Sequence, residues 1–234
     1  MRADILSRLN EERAARRACV LVTSLATGEA QLIKAADAVK EPLTGTALGQ
    51  AAAEAMRAGK SGMAEIDGAK HFLTVQAPPL RIVVTGAVHI SQAMVPMAKQ
   101  LGFDITIIDP RTAFATAERF PDTRLIADWP DTALPPLNVD RYTAFVALTH
   151  DPKIDDPGLE HALKRDCMYI GALGSRKTHA GRVERLKAQG FSGEAVSRIH
   201  APVGLDIGAV SPAEIALAIL GQITAALRRR EKAA

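Results

Sequence analysis

Arg81-Ile82-Val83-Val84-Thr85-Gly86-Ala87-Val88-His89-Ile90-Ser91, an apolar-rich stretch to Leu101, and then Asp104-Ile105-Thr106-Ile107-Ile108-Asp109 decide the fold. The order is apolar strand, glycine turn, helix, second strand and terminal acid, which is the beginning of a dinucleotide-binding α/β unit. In the G-x-G-x-x-G pattern the first glycine makes the tight turn, the second admits a pyrophosphate, and the third lets helix and strand pack closely. Only the first, Gly86, is present here. Val88 puts a branched side chain where a diphosphate would lie, and Ser91 is expected to widen the helix-strand contact. The frame is nucleotide-binding, but Val88 is expected to exclude NAD while His89 stays in the pocket.

Beyond this unit, apolar strands continue at Arg124–Ile126, Ala144–Leu148 and Met168–Ala172. Helical stretches lie at Ile90–Leu101, Asp155–Lys164, Arg176–Gln189 and Ser211–Arg229, the last opened by a Ser211/Glu214 capping box with Pro212 inside it. Such alternation predicts a Rossmann-like parallel sheet with helices on both faces. The preceding region is different. A helix over Asp4–Arg17, strands at Cys19–Leu25 and Ala30–Lys34, a helix over Gly45–Ala58 and a hairpin turning at Asp67-Gly68 make a small α+β domain. Ala77-Pro78-Pro79 marks the boundary, since two prolines stiffen a linker and cannot continue a ladder. The expected domains are therefore 1–78 and 79–234.

The 234 residues carry a formal net charge of +3, and only 4% are aromatic. Basic residues are scattered apart from Arg228-Arg229-Arg230, so no nucleic-acid footprint is expected. No apolar run approaches the roughly 20 residues that span a bilayer. The charged N-terminus lacks a signal-peptide pattern. A cytoplasmic, non-membrane protein is expected. Cys19 and Cys167 have no zinc or disulfide spacing and read as small core residues, and no metal-ligand set stands out.

In a doubly wound sheet, ligands bind beyond the C-terminal strand ends, which selects four loops. The first holds Gly86 and His89, an imidazole at a helix start that suits an anion, a metal or a loop cap. The second holds Asp109, placed to accept a ribose diol, and Arg111, which fits a phosphate or a salt bridge to Asp109. The third is Thr149-His150-Asp151, a hydroxyl, an imidazole and a carboxylate in succession that can shuttle protons or hold a metal, with a plain helix cap as the alternative. The fourth, Gly171-Ala172-Leu173-Gly174-Ser175-Arg176-Lys177, combines glycines, a helix start and two cations as a candidate phosphate cradle. Ala201–Ala209, with Asp206, is either a flap over the site or a packed connector.

These segments together resemble the XdhC/CoxF family, accessory proteins of xanthine dehydrogenase and related molybdenum hydroxylases. The resemblance rests on Asp109-Pro110-Arg111, Phe114-Ala115-Thr116, Glu118-Arg119-Phe120-Pro121, Leu148-Thr149-His150-Asp151-Pro152, Tyr169-Ile170-Gly171-Ala172-Leu173-Gly174-Ser175-Arg176 and Gly204-Leu205-Asp206-Ile207-Gly208-Ala209. It implies binding of the molybdenum cofactor (molybdopterin) as cargo, its protection during sulfuration, and delivery to an apo-hydroxylase. A cysteine desulfurase and the apo xanthine dehydrogenase are the implied partners, and a homodimer is the expected assembly. Residues 1–78 read as a degenerate version of the family's N-terminal domain, with Thr23–Gly28 lacking the family's proline-arginine pair. The competing functions are an NAD(P)-dependent oxidoreductase with an atypical glycine turn, supported by Asp109, and a non-catalytic docking scaffold.

Overall fold

The computed structural model describes residues 3–38, 43 and 45–233. Contacts divide the chain into two compact units, Met1–Pro78 with Leu227–Ala234, and Pro79–Ala226.

In the first unit, α1 (Ala3–Ala14), β1 (Cys19–Ser24), β2 (Ala30–Lys34), the short α2 (Ala35–Ala38), α3 (Ala47–Ala58), β3 (Gly62–Ile66) and β4 (Ala69–Gln76) build an antiparallel sheet of order β2-β1-β4-β3. Successive residues of β1 face opposite ways. Cys19 joins Ile5 and Leu9 of α1, while Val20 and Val22 join Ala52 of α3. The hairpin closes as its Asp-Gly pair predicts, with φ of 51° at Asp67 and 77° at Gly68 and Ile66 paired to Ala69. Glu12, 1% exposed, receives Lys34 Nζ at 2.9 Å and Arg17 Nε at 2.7 Å. The Arg17 hydrogen bond leads in holding its carboxyl down at about 2, so α1 is tied to β2 by charge as well as by packing.

The second unit contains β5 (Arg81–Thr85), α4 (His89–Gln100), β6 (Asp104–Ile108), β7 (Arg124–Ile126), α5 (Pro130–Ala133), β8 (Thr143–Ala147), α6 (Pro152–Lys164), β9 (Tyr169–Ala172), α7 (Arg176–Ala188), α8 (Gly193–Ser197), β10 (Ile199–His200) and most of α9 (Pro212–Ala233). All six strands are parallel, in the order β10-β9-β8-β5-β6-β7. Counted within the unit this is 6-5-4-1-2-3, the doubly wound order, with the direction of winding reversing between β5 and β8. Both central strands are buried almost throughout, as a sheet covered on two faces requires. Phe145, Leu159, Ile170 and Leu186 lie in the core beneath α6 and α7.

The structure departs from the expected elements at a few points. α6 starts three residues earlier than its apolar pattern, because Asp151 caps it and Pro152 occupies its first turn, where a missing N–H costs nothing. β10, α5 and α8 are too short to leave a periodic signal. Ser91 is fully buried, and its hydroxyl folds back to donate to Gly86 O at 2.7 Å. Among the described residues, no helix is long and apolar enough to cross a membrane.

Candidate functional site

Thr85 of β5 pairs with Ala147 of β8, so the loops that follow these strands meet at the reversal point. There is little room between them. A Cβ on Gly86, whose φ is 119°, would lie 3.1 Å from Thr149 Cγ2 and 3.3 Å from the Leu148 carbonyl carbon. The glycine is thus required by strand-to-strand closeness as well as by its backbone angle.

The amides of this turn are already engaged. Gly86 N–H donates to Ile108 O at 2.8 Å, Ala87 N–H to Asp109 Oδ2 at 2.7 Å, and Val88 N–H to Ser91 Oγ at 2.9 Å. Asp109 is completely buried and also accepts Arg111 N–H and Nε–H on Oδ1, both at 2.9 Å, and Nη2–H on Oδ2 at 2.8 Å. Burial pushes this carboxyl up. Arg111 and the two backbone donors outweigh it, leaving Asp109 below the usual carboxylate range. Four donors fill its acceptor positions, so a ribose diol would have to displace Arg111. Arg111 in turn lies over the Phe114 ring at 4.7 Å. Arg119 completes the clamp with Nη1–H on Ala87 O and on Phe114 O, each at 2.9 Å, and Nη2–H on Gln92 Oε1 at 2.7 Å.

A second buried carboxylate organises the loop after β8. Asp155 accepts Thr149 Oγ1–H at 2.7 Å, Thr149 N–H at 3.2 Å and His150 N–H at 3.0 Å. These bonds hold His150 in the left-handed region, φ 64°, with an exposed side chain. The His150 Nδ1 atom lies 3.7 Å from where a Gly174 Cβ would be, which brings the loops after β8 and β9 together. Burial raises the Asp155 carboxyl and lowers the Arg182 guanidinium 3.9 Å away. Arg182 is 2% exposed, and its Nη2 donates to Leu173 O at 3.1 Å. Its Nε and Nη1 have no hydrogen-bond partner among the described residues.

The fourth loop separates into packing and presenting parts. Gly171 lies inside β9, where a Cβ would meet Val203 Cγ2 at 2.6 Å and Tyr169 Oη at 2.8 Å. Gly171→Ala is expected to cost about 1–3 kcal/mol through overpacking, read as a lowered urea midpoint with an unchanged slope. Ser175 caps α7, accepting Thr178 N–H at 3.1 Å. Arg176 and Lys177 follow as exposed residues of the first turn. Arg176 lines a cleft of about 470 Å³ with Leu173, Val203, Leu205, Asp206 and Ile207. The far wall is anchored on α9, with Leu205 N–H on Ala218 O at 3.1 Å and Gly204 N–H on Gln222 Oε1 at 2.9 Å. Tyr169 Oη–H reaches the same Gln222 oxygen at 2.5 Å.

A family model described as the XdhC Rossmann domain matches residues 82–223. The chain belongs to the XdhC family. Curated relatives include the uncharacterized protein YqeB of Escherichia coli K12, 32% identical over 65% of this chain and 28% of its own length. A Bacillus subtilis 168 protein named as a probable xanthine dehydrogenase subunit is 31% identical over 68% of this chain and 46% of that protein. The molybdenum cofactor insertion chaperone PaoD of Escherichia coli K12 is 29% identical over 66% and 42%. The matches thus span less than half of each of these relatives. The crystal structure of a xanthine dehydrogenase from Bacillus halodurans superposes with a TM-score of 0.67 at 23% identity, covering 97% of this chain and 65% of the other, and shares the fold.

Within this XdhC domain the twelve sequence-predicted residues fall into distinct settings. Gly86 and Thr149 touch, Asp109 and Arg111 pair, and Asp151 and Ser175 are helix caps. His89 begins α4 as an exposed residue. Gly171 packs, Gly174 and His150 adjoin, and Arg176 lines the cleft while Lys177, next in sequence, is exposed. Asp155, Arg182 and Gln222 are not among the residues the sequence singles out. Arg182 has one legible sign: His179, Arg182, Val183 and Leu186 form an i, i+3, i+4, i+7 stripe, so Arg182 stands where an apolar residue belongs. Cys19 and Cys167 are buried and free, and burial pushes the Cys167 thiol up to about 12, which suits inert core residues.

Proposed function

We propose that this XdhC-family protein is a maturation factor that holds the molybdenum cofactor and passes it to a xanthine dehydrogenase-type hydroxylase. The observation that carries the proposal is the cleft at the end of β9. Arg176 and Asp206 line it, and among the described residues neither side chain has an ion pair or hydrogen bond. An unpaired guanidinium in the first turn of a helix favours a phosphate, through both its own charge and the helix dipole. Leu173, Val203, Leu205 and Ile207 supply apolar walls for a flat ring. The volume lies within the usual range for small-ligand pockets, about 300–1,000 Å³. The names of PaoD and of the Bacillus subtilis relative point the same way.

The reading asks the chain to bind, shield and release a ligand. It assigns no bond-breaking step to any residue. Phosphate contact rests on Arg176, with Lys177 adding positive potential nearby. His150, held by Asp155 beside Gly174, lies in the neighbouring loop at the C-terminal strand ends.

The test is transfer. Protein loaded anaerobically with molybdopterin, freed of excess by ultrafiltration and mixed with apo xanthine dehydrogenase is expected to restore turnover faster than free cofactor does. No advantage over free cofactor sinks the reading. Arg176→Ala is expected to weaken molybdopterin retention about tenfold, the worth of one charge-assisted contact. A parallel calorimetric titration with NAD is expected to give no binding, since the Gly86, Ala87 and Val88 amides already have partners.

A further inference from the structure

Among the described residues Asp206 is the only carboxylate lining the cleft, and it stands among apolar residues on a loop held in place by α9. Gly204, with φ of 100°, sits so close to α9 that a Cβ would fall 3.2 Å from Ala218 Cβ. Leu205 presses on the helix at Gly221, where a Cβ would fall 3.0 Å from Leu205 Cδ1. The loop is therefore a preformed wall, which lowers the ordering cost of binding. A lone carboxylate and a lone guanidinium that share a cleft without pairing form a two-point receptor. One end takes an anion, and the other takes a group that presents N–H donors.

We propose that Asp206 is the specificity determinant of this cleft, accepting two parallel N–H donors from the 2-amino-4-oxopyrimidine edge of the ligand while Arg176 takes its phosphate. This rests on the cofactor-binding reading above and assigns the ring-recognition half of it. The chemistry is that of bidentate carboxylate recognition. A ring N–H and the adjacent exocyclic amine are spaced to meet the two carboxylate oxygens, as a guanidinium fork does. A ring with oxygen in place of the amine retains one donor and turns an acceptor toward the second oxygen, so the carboxylate rejects it. A site built on a hydrogen bond discriminates sharply against an analogue that lacks the group.

The test uses the full chain with two fluorescent probes, 6-hydroxymethylpterin phosphate and the corresponding lumazine phosphate, which lacks the 2-amino group. The wild-type protein is expected to bind the pterin at least about tenfold more tightly. Asp206→Asn is expected to bring the ratio within about twofold while inorganic phosphate competes as before. Arg176→Ala weakens both probes together. Asp206 is exposed, so an unchanged thermal midpoint verifies that its variant is folded. A wild-type ratio near one, a ratio that survives Asp206→Asn, or no binding of either probe overturns the proposal. If the ring preference behaves as expected but cofactor transfer fails, the maturation reading falls alone. If transfer succeeds and depends on Arg176 but Asp206→Asn leaves the ratio intact, only the ring assignment falls.

Discussion

Asp155→Ala is expected to destabilise the protein by about 3–5 kcal/mol, the range for removing one partner of a buried ion pair. Arg182 is 2% exposed and keeps one hydrogen bond, to Leu173 O, so losing its carboxylate leaves a cation that water hardly reaches. The reverse replacement, Arg182→Met, is expected to cost less. Asp155 retains Thr149 and the His150 amide, and its carboxyl, already raised by burial, can take a proton. The double variant Asp155→Leu/Arg182→Met should regain most of the stability, since apolar replacement of a buried pair is often neutral. Urea denaturation of the wild type, Asp155→Leu, Arg182→Met and the double variant gives the cycle, with Asp155→Ala measured beside it. A loss below about 1 kcal/mol for Asp155→Ala would show that the pair does not hold the loop. The double variant separates stability from positioning. It should fold well and yet exchange the Thr149 and His150 amides quickly, because the acceptor that fixes them is gone.

Asp109→Ala is the second large effect, at about 2–4 kcal/mol. The value is set lower because Arg111 is 37% exposed and can recover water, whereas Ala87 N–H is buried and loses its acceptor. The sign of the pH dependence follows from the direction of the shift. Asp109 sits below its ordinary value, so its stabilisation is present above the unfolded carboxylate pKa of about 3.9 and is lost as pH falls through the lower folded value. The wild-type protein should therefore lose stability below about pH 4 more steeply than Asp109→Asn does. Parallel acid-titration curves for the two proteins would refute this.

Local signals are enough for most of the fold. The β5 to β6 segment, the Asp67-Gly68 turn and the Ser211/Glu214 capping box are legible because each depends on residues within a few positions of one another. Glu214 Oε2 indeed accepts Ser211 N–H at 2.8 Å. The site is less legible, because its groups act across long separations. Nothing in the spacing of Asp155 and Arg182 shows that they meet beneath the loops. Asp109 lies where a ribose acceptor belongs, and the sequence leaves open whether Arg111 two positions later pairs with it. The fork-to-carboxylate geometry decides in favour of pairing. Gly171 reads in sequence as part of a phosphate cradle, but its place is explained by the Tyr169 ring and Val203. The sequence expects the Val88 side chain to exclude a dinucleotide; the structure shows in addition that the Gly86, Ala87 and Val88 amides already have acceptors.

Ala87 is gripped at both of its polar atoms, the N–H by Asp109 and the C=O by Arg119. This has a consequence for how the turn can change over generations. Installing glycines at Val88 and Ser91 alone would leave the Ala87 amide occupied, and freeing it requires a change at Asp109, which in turn strands Arg111. Substitutions at Ala87, Val88, Ser91, Asp109, Arg111 and Arg119 should be strongly non-additive, each costly alone and tolerated only in combination. Freeing the turn's amides for a pyrophosphate therefore requires several coupled changes, whereas none of these six residues lines the β9 cleft.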